Sequence, residues 1–296
     1  MADVTPQTIG PDDEIVPAKA DVSQWAIIRS HPSIIAGGIL LGIMILIAIF
    51  GSLFTGDPTY INPINRLKVP QADFWFGTDY LGRDTLARVI YGARVSLVVG
   101  LAVSVIAVGA GLIIGMISGY VRVLDAIIMR VMDGLMSIPA ILLAIALISL
   151  SGATLTTVVI AIVIPEVPRV VRLVRSVVLT VREEPYVEAA IAAGTKLPLI
   201  LTRHILPNTI APMIVQATYI CGSAMITESI LGFLGAGIPP EIPSWGNIMA
   251  EGRTYFQLSP WIIFFPGVAL SVTVLAVNIL GDGLRDTLDP RIARKM

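Results

Sequence analysis

The residues that could do chemistry are isolated charges inside otherwise apolar stretches. Glu166 stands between two prolines in one such stretch, and Glu228 lies near the end of another. An ionisable side chain within an apolar membrane span is costly, so it is a candidate for function by default. Both acids are therefore possible pathway residues. The alternatives are a local pair of Glu166 with Arg169, and a Glu228 side chain that reaches the outer membrane interface.

Other charges favour structural interpretations. Arg130 and Asp133 lie three residues apart on a predicted helix, where opposite charges can pair. Asp79, Arg83 and Asp84 cluster outside the apolar runs. They supply too few oxygen ligands for calcium, and we expect them to fix an external segment or to contact a partner protein.

Motifs of enzymes are missing from the sequence. Gly194-Thr195-Lys196 lacks the upstream glycine and the following hydroxyl residue of a nucleotide-binding P-loop. No nucleophile elbow or zinc-protease motif occurs. His31 and His204 have no second ligand at metal-binding spacing. We predict no catalytic residues, no metal site and no cofactor bound by this chain itself.

The composition identifies the element type that must position these residues. Of 296 residues, 55% are hydrophobic and only 14% are charged, with a mean hydropathy of +0.84. Soluble domains carry about 25% charged residues, and disordered chains are far less hydrophobic. A net charge of −1 and a pI near 6.1 give no basic surface for nucleic acid. The sequence predicts an all-α polytopic protein in a lipid membrane.

Apolar runs long enough to span a bilayer, roughly 20 residues each, predict about six transmembrane helices. The runs are 33–54, 95–120, 126–150, the stretch from 155, 210–234 and 260–280. The predicted organisation is an N-terminal tail 1–32, a first transmembrane helix 33–55, an external segment 56–94, a core 95–283 with five helices and a long loop 173–208, and a C-terminal tail 284–296.

Lysine and arginine set the predicted orientation. With six spans, thirteen of the 20 Lys and Arg residues lie on the side of the two termini. Positive charge is retained on the cytoplasmic side, so both termini and loop 173–208 are predicted to be cytoplasmic.

In the second run, Gly111, Gly115 and Gly119 recur every fourth residue, which is typical of close helix packing.

Loop 173–208 has the pattern of two short helices joined by a glycine turn. Pro185 stands at a helix start, and Gly194 follows an alanine-rich stretch where a left-handed residue ends a helix. A second short helix is predicted from Pro198 to Leu206, and Pro207 is expected to end it. Such a pair suits docking into a groove of another protein, or a hairpin that lies in the lipid headgroups.

The spacing within this loop resembles the EAA loop of permease subunits of ABC importers. The matching positions are Glu188-Ala189-Ala190, Gly194 and Leu206-Pro207, with His204 where the family has isoleucine. Segments 76–97, 231–246 and 281–290 resemble the "C"-type permease of dipeptide and oligopeptide importers.

The resemblance implies a type I ABC importer permease fold in a bacterial cytoplasmic membrane. It implies half of a translocation pathway for small peptides, with the loop coupling the helices to ATPases. Expected partners are a second homologous permease, two ABC ATPase subunits that bind the ATP, and an extracytoplasmic substrate-binding protein. Alternatives are a nickel or glutathione permease of the same subfamily, or an ion-driven secondary transporter.

Overall fold

The structure, a computed structural model, describes residues 31–288. The predicted tail 1–32 falls almost wholly outside these residues, as does most of the predicted tail 284–296. Within the described residues, 32–288 are organised as helices and connecting segments, and no extended strands occur there.

The helices are numbered here in chain order. They are α1 (Pro32–Phe50), α2 (Thr85–Tyr120), α3 (Arg122–Met136), α4 (Ala140–Ser151), α5 (Leu155–Val181), α6 (Pro185–Ala192), α7 (Leu197–Ile200), α8 (Leu206–Phe233), α9 (Trp245–Gly252) and α10 (Trp261–Leu288). A wider turn, Leu201–Ile205, joins α7 to α8. Segment 182–205 defines the loop end of the bundle, and segments 51–84 and 234–260 define the far end.

Four continuous helices are long and apolar enough to cross a membrane: Pro32–Leu53, Thr85–Tyr120, Leu197–Phe233 and Trp261–Leu288. The α3 and α4 pair adds a fifth crossing if the two count as one bent span. Helix α5 has 27 residues but carries four charged residues, at 166, 169, 172 and 175. This arrangement agrees with the prediction of an all-α protein with about six spans.

Two predicted spans have different bounds. The run 126–150 is divided by a bend of 88° between α3 and α4. Pro139 stands at that bend, and a proline disfavours helical geometry in the residue before it. Helix α2 begins at Thr85, ten residues before the predicted start, because Asp84 caps it by accepting a hydrogen bond from the Leu86 N–H at 3.0 Å.

The centre of the bundle is the contact between α2 and α5. Gly111, Gly115 and Gly119 of α2 lie directly against Val170, Val174 and Val178 of α5. A Cβ atom at any of the three glycines would come within 2.4–2.7 Å of a valine Cβ. Only hydrogen fits at these positions, so the four-residue glycine spacing sets the distance between the two helices.

Candidate functional site

The loop end presents a short exposed helix, α6, between two membrane helices. Glu188 and Ala189 are exposed and Ala190 is partly exposed, whereas Val187 is completely buried and anchors the helix to the core. Pro185 occupies the first helical turn, where its missing N–H costs no hydrogen bond. The polar and alanine face of α6 is thus free to meet another molecule.

Gly194 reverses the chain after α6. Its φ of +76° lies in the left-handed region, and no atom lies within 4 Å of the place where a Cβ would stand. The glycine is therefore required by the backbone conformation and not by crowding. The predicted left-handed turn is present at this position.

The second half of the loop merges with the membrane helix that follows it. Leu206 and Pro207 form the first turn of α8, so Pro207 begins a helix instead of ending one. The His204 ring lies 6.2 Å from the Tyr186 ring, centroid to centroid. Asn208 donates to the His204 carbonyl at 2.8 Å and to the Tyr186 hydroxyl at 3.1 Å. These contacts tie α6 to the start of α8.

Glu166 is buried at the contact between α5 and α8. Its carboxylate accepts from one Arg169 nitrogen at 3.0 and 3.2 Å, and it lies 3.5 Å from the Ser223 hydroxyl of α8. The pair with Arg169 that was the alternative for this acid is thus present. Half of the Arg169 side chain, 46%, remains exposed.

Glu228 lies elsewhere along α8 and is completely buried. One carboxylate oxygen accepts from Ser96 at 3.2 Å and from Ser229 at 3.4 Å, while Oε1 has no partner among the described residues. Since the side chain is enclosed by protein, it does not extend to a membrane interface. Ser223, which contacts Glu166, lies five residues before Glu228 on α8, about 7.5 Å along the helix.

The predicted pair of Arg130 with Asp133 is wrong. Asp133 instead binds Arg172 of α5 at 2.6 Å, and both side chains are about half exposed. A second bridge connects the same helices, because Arg175 donates two hydrogen bonds of 2.6 Å to Asp125. Helix α3 is therefore held to α5 by two ion pairs that span long sequence separations.

At the far end, four charged residues form a buried cluster: Asp79, Arg83, Arg88 and Glu251. Asp79 accepts from both arginines, and Glu251 accepts from Arg83 at 2.6 Å and from Arg88 at 3.1 Å. The cluster joins the external segment, α2 and α9, as expected for Asp79 and Arg83. Sequence reasoning missed Glu251, because it lies more than 160 positions from Arg83 and Arg88 and no local pattern connects them.

Elsewhere in residues 31–288, no three His, Cys, Asp or Glu side chains gather in a way that could hold a metal ion. The residues brought together at the loop end are Glu188, Ala189, Ala190, Gly194, His204, Leu206 and Pro207. Glu166 and Glu228 lie separately inside the bundle, and the three α2 glycines serve helix packing.

A bundle of membrane-spanning helices with an exposed loop helix is the architecture of a transport permease. The chain belongs to the family of binding-protein-dependent transport system inner membrane components, whose model matches residues 107–294. It is embedded in a membrane and forms part of an ABC transporter complex.

Similar proteins include the probable peptide ABC transporter permease y4tQ of Sinorhizobium fredii, which is 56% identical over 91% of this chain and 92% of that protein. The dipeptide transport system permease DppC of Alkalihalophilus pseudofirmus is 42% identical over 97% of this chain and 95% of its own length. The oligopeptide permease OppC of Bacillus subtilis is 36% identical over 90% and 88%.

The fold is also similar to a chain of the inward-facing MetNI methionine ABC transporter. The TM-score is 0.50 with 19% sequence identity, over 66% of this chain and 94% of that chain. This likeness supports the type I permease fold predicted from the sequence.

Proposed function

We propose that this chain forms half of the translocation pathway of an ATP-driven importer of di- or oligopeptides. A second homologous permease supplies the other half, two ABC ATPase subunits bind and hydrolyse ATP, and an extracytoplasmic binding protein delivers the peptide. The chain itself is not an enzyme and holds no cofactor. Both termini and the loop end face the cytoplasm. The peptide substrate is supported by the names of three relatives that align along most of this chain.

The observation that carries this proposal is the exposed α6 between α5 and α8. Its buried Val187 fixes the helix to the core, while Glu188 and Ala189 face outward. Small side chains let a partner surface approach closely, and a helix seated in a groove is a common mode of recognition. A groove on an ATPase subunit that holds α6 would be linked directly to two membrane helices.

The chain offers a matched pair of variants to test this role. Gly194 and Gly235 both have positive φ, +76° and +79°, and at neither glycine does any atom lie within 4 Å of the place that a Cβ would occupy. Valine at either site incurs the same left-handed backbone strain, roughly 1–2 kcal/mol. Gly194 follows α6 at the loop end, whereas Gly235 follows α8 at the far end.

We expect Gly194→Val to lower ATPase co-purification and peptide-stimulated ATP hydrolysis, while Gly235→Val leaves ATPase association unchanged. The measurements are pull-down of the tagged permease in detergent and ATPase activity of the complex in proteoliposomes. If both variants lose ATPase association equally, the loss reflects general strain. If Gly194→Val binds and couples normally, α6 is not the coupling element.

A further inference from the structure

Arg169 is an exposed cation in the middle of the long helix α5. It lies 14 residues from the start of α5 and 12 from its end, about 21 and 18 Å along the axis. Its side chain is 46% exposed. A cation exposed to lipid tails is costly, so within a membrane water or a polar partner must cover the exposed part.

The Arg169 side chain does not extend toward the lipid headgroups, as arginines in membrane helices often do. Arginines near a helix end extend toward the headgroups. Arg169 instead points back along α5 to Glu166, one turn nearer the helix start, and one of its nitrogens holds that carboxylate at 3.0 Å. Side chains of a helix lean toward its N-terminus, so this direction is the relaxed one.

Arg169 begins a polar stripe that continues to the loop end. The exposed residues of α5 after it are Arg172, Ser176 and Thr180, at intervals of three, four and four residues. This spacing places all four side chains on one face. The opposite face carries the buried valines against α2, so α5 has one dry face and one face built for water.

The pair at the top of the stripe is suited to a ligand with two opposite charges. Ser223 of α8 also contacts Glu166, which keeps the carboxylate in place when the arginine moves. Arg169 uses a single nitrogen on Glu166, and a guanidinium has further donors for a carboxylate.

We propose that the Glu166–Arg169 pair is a transient binding site for the charged termini of a peptide in passage. The peptide carboxylate binds Arg169 and its ammonium group binds Glu166, so the internal pair exchanges for two pairs with the solute. A dipeptide is at most about 7 Å long, short enough to bridge neighbouring side chains. This inference rests on the proposed function and adds the chemistry that the passage recognises.

The first test measures exposure to water in the assembled complex. In a Cys221→Ser background, Arg169→Cys is treated with a sulfonated, membrane-impermeant thiol reagent in nanodiscs. The control is Ile113→Cys, an apolar α2 position that is 60% exposed and seven residues from the end of its helix. We expect Arg169→Cys to react and Ile113→Cys to remain unlabelled. An unreactive Arg169→Cys means that protein covers this face, which overturns the proposal.

The second test measures alanyl-alanine imported per ATP hydrolysed in proteoliposomes with loaded binding protein. Loss of one charge-assisted contact should lower this ratio by about tenfold or more in Arg169→Gln. Arg169→Lys should retain most of it, and Ser176→Ala, two turns further along the stripe, should match the wild type. An unchanged ratio in Arg169→Gln refutes the site. If the wild-type complex itself imports no dipeptide with ATP, the proposed function fails instead.

Discussion

Placing a single methyl group between α2 and α5 tests the packing that holds the bundle together. A Cβ at Gly115 would lie 2.7 Å from the Val174 Cβ and 2.9 Å from the Val171 carbonyl oxygen. Carbon atoms in contact need about 3.5–4.0 Å, so the shortfall is about 1 Å. The carbonyl belongs to the helix backbone and cannot rotate away. The helices must therefore separate in Gly115→Ala.

Overpacking of this kind costs about 1–3 kcal/mol. Since about 2–4 °C of melting temperature corresponds to 1 kcal/mol in chains of about 150–250 residues, we expect Gly115→Ala to melt roughly 2–12 °C lower. The matched control is Gly109→Ala on the same helix, where no atom lies within 4 Å of the new methyl group. Alanine there should leave stability unchanged or raise it, because glycine is the poorer helix former.

The assay follows thermal loss of the folded permease complex in detergent by circular dichroism and size-exclusion chromatography. The reasoning is refuted if Gly115→Ala melts with the wild type. It is also refuted if Gly109→Ala falls by the same amount, because the effect would then come from losing any glycine and not from contact with α5.

Two further predictions concern charges at the far end. Glu251→Gln leaves two buried arginines facing one acid, so we expect the free energy of unfolding to fall by about 3–5 kcal/mol. Adding Arg88→Met should restore part of this loss. A Glu251→Gln variant as stable as the wild type would contradict this expectation. Arg94 donates to the Ala48 and Ile49 carbonyls at the end of α1, and Arg94→Met should speed amide exchange of the last α1 turn, measured by mass spectrometry. Unchanged exchange there would show that the arginine does not hold this helix end.

Local sequence signals located most of the loop end correctly. Pro185 and Gly194 act through their own backbone conformations, so their positions identify the start of α6 and the turn after it without any knowledge of neighbours. Pro207 was misjudged for the same local reason: a proline ends one helix and begins another equally well. Choosing between them requires knowing that α8 starts there.

Long-range partners were beyond the sequence. Arg130 is three residues from Asp133, yet Arg172, 39 positions away, takes that carboxylate because α5 packs beside α3. Glu251 joins Arg88 across 163 positions. The bend at Pro139 was missed because the predicted span 126–150 combined most of the charged helix α3 with the apolar helix α4, and hydropathy reports composition without direction. The presence of most helices was predictable from the sequence, but the residues that they contact depend on the tertiary arrangement.

A movement of α6 would be passed to the long helices on either side of it. Two long helical segments adjoin it: α5, about 40 Å long, and the continuous stretch Leu197–Phe233, about 55 Å long. A sideways shift of α6 by about 3 Å would tilt α5 by only about 4° if the far end of α5 stayed fixed. Because the glycines of α2 lie directly against the valines of α5, such a tilt would move α2 as well. A displacement of α6 no larger than a side chain could thus reorient three helices, α2, α5 and α8.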